Sequence, residues 1–168
     1  MLTVRAATVA DTRLIFDFIV ELAVYEKAAA EVVTNESGIA DSLFGPAARA
    51  RALVCELGGQ PVGFAVYFYS YSTWLGKNGI YLEDLYVTPE FRGRGAGKAL
   101  LQHIARIAVA EDCGRLEWSV LDWNTPAIAF YEALAAKPQS EWIRYRLSGN
   151  ELRALAASAS PESGKTGE

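Results

Sequence analysis

Apolar and polar positions alternate from Leu2 to Ala6, the period of a half-buried strand. Thr8-Val9-Ala10-Asp11 then has the spacing of a capping box, with Asp where Glu or Gln is commoner. It precedes a helical period through Leu14, Ile15, Phe18, Ile19, Leu22 and Ala23. Thr34 is placed to cap a second helix that runs to Phe44 and stops at Gly45-Pro46. Two β-prone runs, 52–57 and 61–71, flank Gly58-Gly59-Gln60 and predict a hairpin. A loop over 72–78 leads to a strand over 79–87, closed by Thr88-Pro89. Helical spacing returns from Gly95 to Glu111 through Leu100, Leu101, Ile104, Ile107 and Ala108. Residues 115–121 read as a strand, Thr125-Pro126 as the start of a helix reaching Leu134, and 142–147 as a strand. Ser148-Gly149-Asn150-Glu151 is a second capping box, opening a last helix. Strands and helices mixed in this order predict an α+β fold, with a central mixed, mostly antiparallel sheet flanked by helices. A single domain over 1–157 is expected, with the small, polar tail 158–168 disordered.

Composition narrows the classes. The 168 residues are 51% hydrophobic, enough for a core in one domain. The longest apolar run, Phe64–Tyr69, falls far short of the ~20 residues of a membrane helix, and no leader precedes Val4-Arg5, so a cytoplasmic protein is expected. Cys55 and Cys113 are the only thiols and His103 the only histidine. They cannot build a disulfide scaffold or a Cys/His zinc site, no metal is expected, and all three read as structural. A net charge of −4 and a pI near 5.1 speak against nucleic-acid and anionic-membrane partners and suit a cationic one.

The most informative segment is Pro89-Glu90-Phe91-Arg92-Gly93-Arg94-Gly95-Ala96-Gly97-Lys98, between a strand and a helix. Alternate glycines let backbone N–H groups approach a ligand, a helix N-terminus adds unpaired donors, and Arg92, Arg94 and Lys98 add charge. This is the composition of a phosphate or pyrophosphate cradle. A Walker loop is excluded by Arg92 and Ala99, and the dinucleotide fingerprint by Lys98. What remains is Arg-x-x-Gly-x-Gly after a strand ending in Tyr86-Val87.

That segment, together with Tyr81-Leu82-Glu83-Asp84-Leu85-Tyr86-Val87 upstream and Trp123-Asn124-Thr125-Pro126-Ala127-Ile128-Ala129-Phe130-Tyr131 downstream, resembles the GNAT superfamily of acetyl-CoA-dependent N-acetyltransferases. Within it, Glu21-Leu22-Ala23-x-Tyr25-Glu26 and Trp74-Leu75-Gly76-Lys77 are similar to the spermidine/spermine and thialysine N-acetyltransferases. The resemblance implies a sheet whose middle strands splay, direct acetyl transfer from acetyl-CoA to an amine, and a homodimer. It implies that acetyl-CoA meets the backbone of Leu85, Tyr86 and Val87, the cradle Arg92, Gly93, Arg94, Gly95, Ala96, Gly97 and Lys98, and Asn124, Pro126 and Tyr131. Tyr131 matches the family's catalytic tyrosine and would protonate the departing thiolate. Glu83 would act as a base, directly or through water. In a regular strand Glu83 and Asp84 point to opposite faces, and only a bulge would re-aim one of them.

An amine-binding site needs carboxylates and aromatic faces. By resemblance these are Tyr25, Glu26, Trp74, Glu83, Asp84, Glu117, Trp118, Ser119 and Trp142. Ser72 and Ser140 stand where the relatives carry acids, which brings short diamines and thialysine-like amino acids level with polyamines as the small cationic substrate. Two alternatives stay open: a protein or peptide amine acetyltransferase of the same fold, and a non-catalytic acetyl-CoA-binding regulator.

Overall fold

The computed structural model describes residues 1–158. The chain packs as two compact units, Met1–Asn124 and the part from Thr125 onward.

In the first unit the strands β1 (Leu2–Ala6), β2 (Ala50–Leu57), β3 (Gln60–Ser72), β4 (Lys77–Val87) and β5 (Leu116–Trp118) form one sheet in chain order. The first four pair antiparallel and β5 lies parallel to β4. The parallel step needs a crossover, supplied by α3 (Ala96–Ala110). The sheet is therefore mixed and mostly antiparallel, with helices on it, as the pattern implied.

Alternation in the strands sorts the side chains into two faces. On one, Ala52, Phe64, Val66 and Tyr86 meet Ile15 and Phe18 of α1 (Thr12–Tyr25) and Ile39 of α2 (Glu36–Phe44). Phe18 stacks on Phe64, with ring centroids 5.6 Å apart. On the other, α3 buries Ala96, Leu100, Leu101, Ile104 and Ala108, the stripe its helical spacing defines.

Local signals set the element ends. Asp11 accepts hydrogen bonds from the Thr8 N–H at 2.8 Å and the Thr8 hydroxyl at 3.2 Å, and it holds Arg5 through two more at 2.8 Å. The Arg5 guanidinium pulls the Asp11 carboxyl down to about 2. Asn35, not Thr34, caps α2, accepting from Gly38 N–H at 2.9 Å. Both residue types suit the position, and the chain's extended turn falls at Asn35. The loop expected over 72–78 contracts to a turn, because β3 runs to Ser72 and β4 begins at Lys77.

The second unit holds α4 (Thr125–Glu132) and α5 (Gly149–Ala157). The strand expected over 142–147 does not form, and Trp142, Ile143 and Tyr145 are exposed. Alternation marks two faces, but a strand also requires a partner. Ser148 stands at the N-cap of α5 without making the side-chain bond of a capping box. Apart from Ser158, the tail expected to be disordered lies outside the described residues.

Candidate active site

The site begins where β4 and β5 part. The two strands pair only from Ile80 to Leu82 against Leu116 to Trp118. The strand expected over 115–121 is cut to these residues, and β4 continues to Val87 with no strand on that side. This is the splay the resemblance implied. It leaves the edge of Leu85, Tyr86 and Val87 open to an extended ligand.

Beyond Val87, a short turn at Pro89–Phe91 leads to the glycine segment. Gly93 and Gly95 have φ of +74° and +88°, in the left-handed region that costs a side-chain-bearing residue roughly 1–2 kcal/mol. A Cβ at Gly93 would meet nothing within 4 Å, so the surface there is open. Gly95 is the N-cap of α3, whose first N–H groups have no partner within the helix, and Lys98 stands exposed in its first turn. Open space, left-handed glycines, a helix start and cations fit a pyrophosphate.

Arg92 is committed elsewhere. Its Nε donates to the Val87 carbonyl at 2.9 Å, and its guanidinium lies 4.8 Å from the Tyr25 ring centroid and 5.6 Å from that of Tyr86. Arg94 lies over Phe91 at 5.4 Å.

The end of α1 forms the neighbouring wall. The helix closes at Glu26, and Lys27 takes a left-handed φ of +60° that turns the chain away. The Tyr25 hydroxyl donates to Asn124 Oδ1 at 3.0 Å, its ring is 6.1 Å from Trp123, and the Lys27 ammonium sits 4.8 Å from the Trp123 centroid. Asn124, buried at 7% exposure, therefore braces Tyr25. Lys27 and Trp123 escaped the sequence reading, although Trp123 lies inside the motif that drew attention to Asn124.

The carboxylates are arranged by a bulge in β4. Val66 pairs with Asp84 and Tyr67 with Leu82, leaving Glu83 as the extra residue. Cross-strand partners share a face, so Asp84 lies on the side of Val66 and Tyr86, while Glu83 is exposed. Asp84 is half-buried and its carboxyl is pushed up to about 6, first by burial, then by the charges of Glu83 and Glu26. Burial also raises Glu26, and burial with a bond to Glu21 pushes Tyr86 up to about 12. Among the described residues no group of three or more His, Cys, Asp or Glu is placed to share a metal ion.

The remaining candidates are spread out. Ser119 Oγ is 2.7 Å from the Tyr81 hydroxyl, and Glu117 pairs with Arg115 at 3.1 Å. Trp118 is half-buried at the end of β5. Trp74 is 86% exposed at the β3–β4 turn, at the opposite end of β4 from Val87. In the second unit Pro126 lies in the first turn of α4, Tyr131 is half-buried with its ring 5.3 Å from that of Phe130, and Trp142 is exposed.

A parted strand edge, an open glycine turn at a helix start and a neighbouring set of acids suit acyl transfer to an amine. The family comparison agrees. Residues 21–135 match the acetyltransferase (GNAT) family, and the chain belongs to it. It is 39% identical over 164 residues to thialysine N-epsilon-acetyltransferase of Bos taurus, covering 91% of this chain and 96% of that protein. It is 30% identical over 197 residues to L-ornithine N5-acetyltransferase of Arabidopsis thaliana, covering 90% and 86%. Among solved structures, an integron cassette protein from the mobile metagenome of V. cholerae superposes with a TM-score of 0.79 at 26% identity, over 94% of this chain and 98% of that one. The chain is thus an acyl-transferring enzyme of a family whose donor is acetyl-CoA.

Proposed function

We propose that the enzyme moves an acetyl group from acetyl-CoA directly to a primary amine of a small cationic substrate, a diamine, polyamine or thialysine-like amino acid. The observation that carries this is the wall of acids, Glu26, Glu83 and Asp84, beside the parted strand. None of the ion pairs among the described residues includes any of them. Glu26 caps the C-terminal end of α1, whose carbonyls add partial negative charge, and its own charge reaches Asp84 on β4. The names of the thialysine and ornithine relatives support the same class of acceptor.

In this reading the backbone of Leu85, Tyr86 and Val87 holds the arm of acetyl-CoA, and residues 93–98 hold its pyrophosphate. Bound there, acetyl-CoA supplies a thioester carbonyl for attack. An alkylammonium titrates near ~10.4 and must first lose a proton, a task for the Glu83–Asp84 pair. Tyr25, with the face of its ring toward Arg92, positions the amine beside Glu26. Tyr131 is assigned as the acid to the leaving thiolate by its place at the end of the Asn124–Tyr131 motif. Trp74, with Tyr71 and Leu75, makes an exposed apolar tip on the β3–β4 hairpin, which supports a homodimer.

A thiol-release assay over short diamines, spermidine, thialysine, lysine, ornithine and peptides tests the acceptor class. Turnover of the small amines is expected, and turnover of peptides alone would reject the reading.

A further inference from the structure

Resting on the small-amine reading above, we infer that Asp84, rather than its neighbour Glu83, takes the proton from the substrate ammonium, with Glu26 tuning it from the end of α1. The bulge decides between the two acids. As the extra residue, Glu83 is turned out to solvent, whereas Asp84 keeps its place opposite Val66 and is half-buried on the face shared with Tyr86. Glu83 therefore stays in water, while Asp84 loses solvation and faces two like charges.

The groups around Asp84 come from each neighbouring element. Glu26 acts from α1 and Glu83 from β4. Tyr86, two residues on, is held protonated by burial and Glu21. Val66 on β3 is apolar, and Glu117 on β5 is neutralised by Arg115. Arg92 is spent on Tyr25, Tyr86 and the Val87 carbonyl. Among the described residues the charges that act on Asp84 are thus both negative, and its carboxyl at about 6 narrows the gap to an ammonium at ~10.4 far more than a carboxyl at ~3.9 could.

The protons balance. One N–H bond of the ammonium breaks and its proton passes to an Asp84 oxygen. The freed lone pair forms the C–N bond to the acetyl carbonyl carbon. As the C–S bond breaks, nitrogen gives up a second proton and sulfur leaves as the thiol. Asp84 then releases its proton to water, the one proton the overall reaction liberates.

The test is the pH profile of kcat/KM for thialysine and 1,4-diaminobutane in D84N, E83Q and E26Q, with acetyl-CoA affinity measured alongside. The wild type should show an acidic limb near pH 6. D84N should lose about 10²-fold or more in kcat while still binding acetyl-CoA. E83Q should lose less than about tenfold, and both E83Q and E26Q should move the limb to lower pH, because each removes a charge that raises Asp84. A D84N enzyme keeping more than a tenth of wild-type kcat overturns the assignment. Should D84N fail to bind acetyl-CoA, E26Q decides, and a limb that stays in place overturns it. Turnover of neither amine by the wild type would instead remove the small-amine reading itself.

Discussion

Arg92 shows how much of the site hangs on single side chains. Its charge, apparent in the sequence as one more phosphate ligand, is held between two aromatic faces and the last carbonyl of β4. It therefore joins the end of β4 to the end of α1, the two elements proposed to receive acetyl-CoA and the amine. Arg92→Lys keeps the charge but loses the planar fork, so acetyl-CoA affinity and the KM for the amine should worsen together, each by roughly 1 kcal/mol. Titration and steady-state kinetics on one preparation check this, and a change in acetyl-CoA affinity alone would show the Tyr25 contact to be passive. Asp11 supports the entry to α1 in a similar way. Its carboxyl is lowered by Arg5 from 3.8 to about 2, so the stabilisation is complete above pH ~4 and disappears as pH falls toward 2. Asp11→Asn should cost about 1–3 kcal/mol at pH 7 in urea unfolding, with a difference from wild type that shrinks below pH 4. The sequence pointed to both acids of β4 but not to which of them faces inward. That depends on a bulge created by the pairing of β4 with β3, a property of two strands that neither run alone contains.

The elements with long, regular patterns were readable. β1 and α3 lie within a residue of their predicted ends, and α1 spans the apolar period from Leu14 to Ala23, since apolar period and flanking signals agree there. The glycine turn was readable for another reason: its φ values of +74° and +88° admit few residues besides glycine. Gly95→Ala should therefore destabilise the start of α3 and weaken acetyl-CoA binding, seen as a lowered Tm and a raised Kd in calorimetry. Unchanged acetyl-CoA affinity in Gly95→Glu would defeat the cradle assignment. The segment 142–147 marks the opposite limit. Its alternation is real, yet all six side chains from Trp142 to Leu147 are exposed and no strand flanks it.

For the whole molecule, the exposed tip of Tyr71, Trp74 and Leu75 makes self-association measurable. Light scattering should return twice the chain mass, and Trp74→Glu should lower it toward one chain. The family and its reaction were legible because spaced motifs in a fixed order carry them, whereas the exposure of the carboxylates proposed to meet the acceptor is set only by packing. The early divergence of β4 from β5 has a further consequence. It leaves the backbone groups of residues 85–87 that face away from β3 without a strand partner among the described residues, an edge inside the sheet. Deuterium uptake at Leu85–Val87 should be rapid in the empty enzyme and slow once acetyl-CoA binds, while β2 and β3 hardly change. In the proposed reading this seam is also the docking groove, so that acetyl-CoA completes the sheet as well as reacting in it.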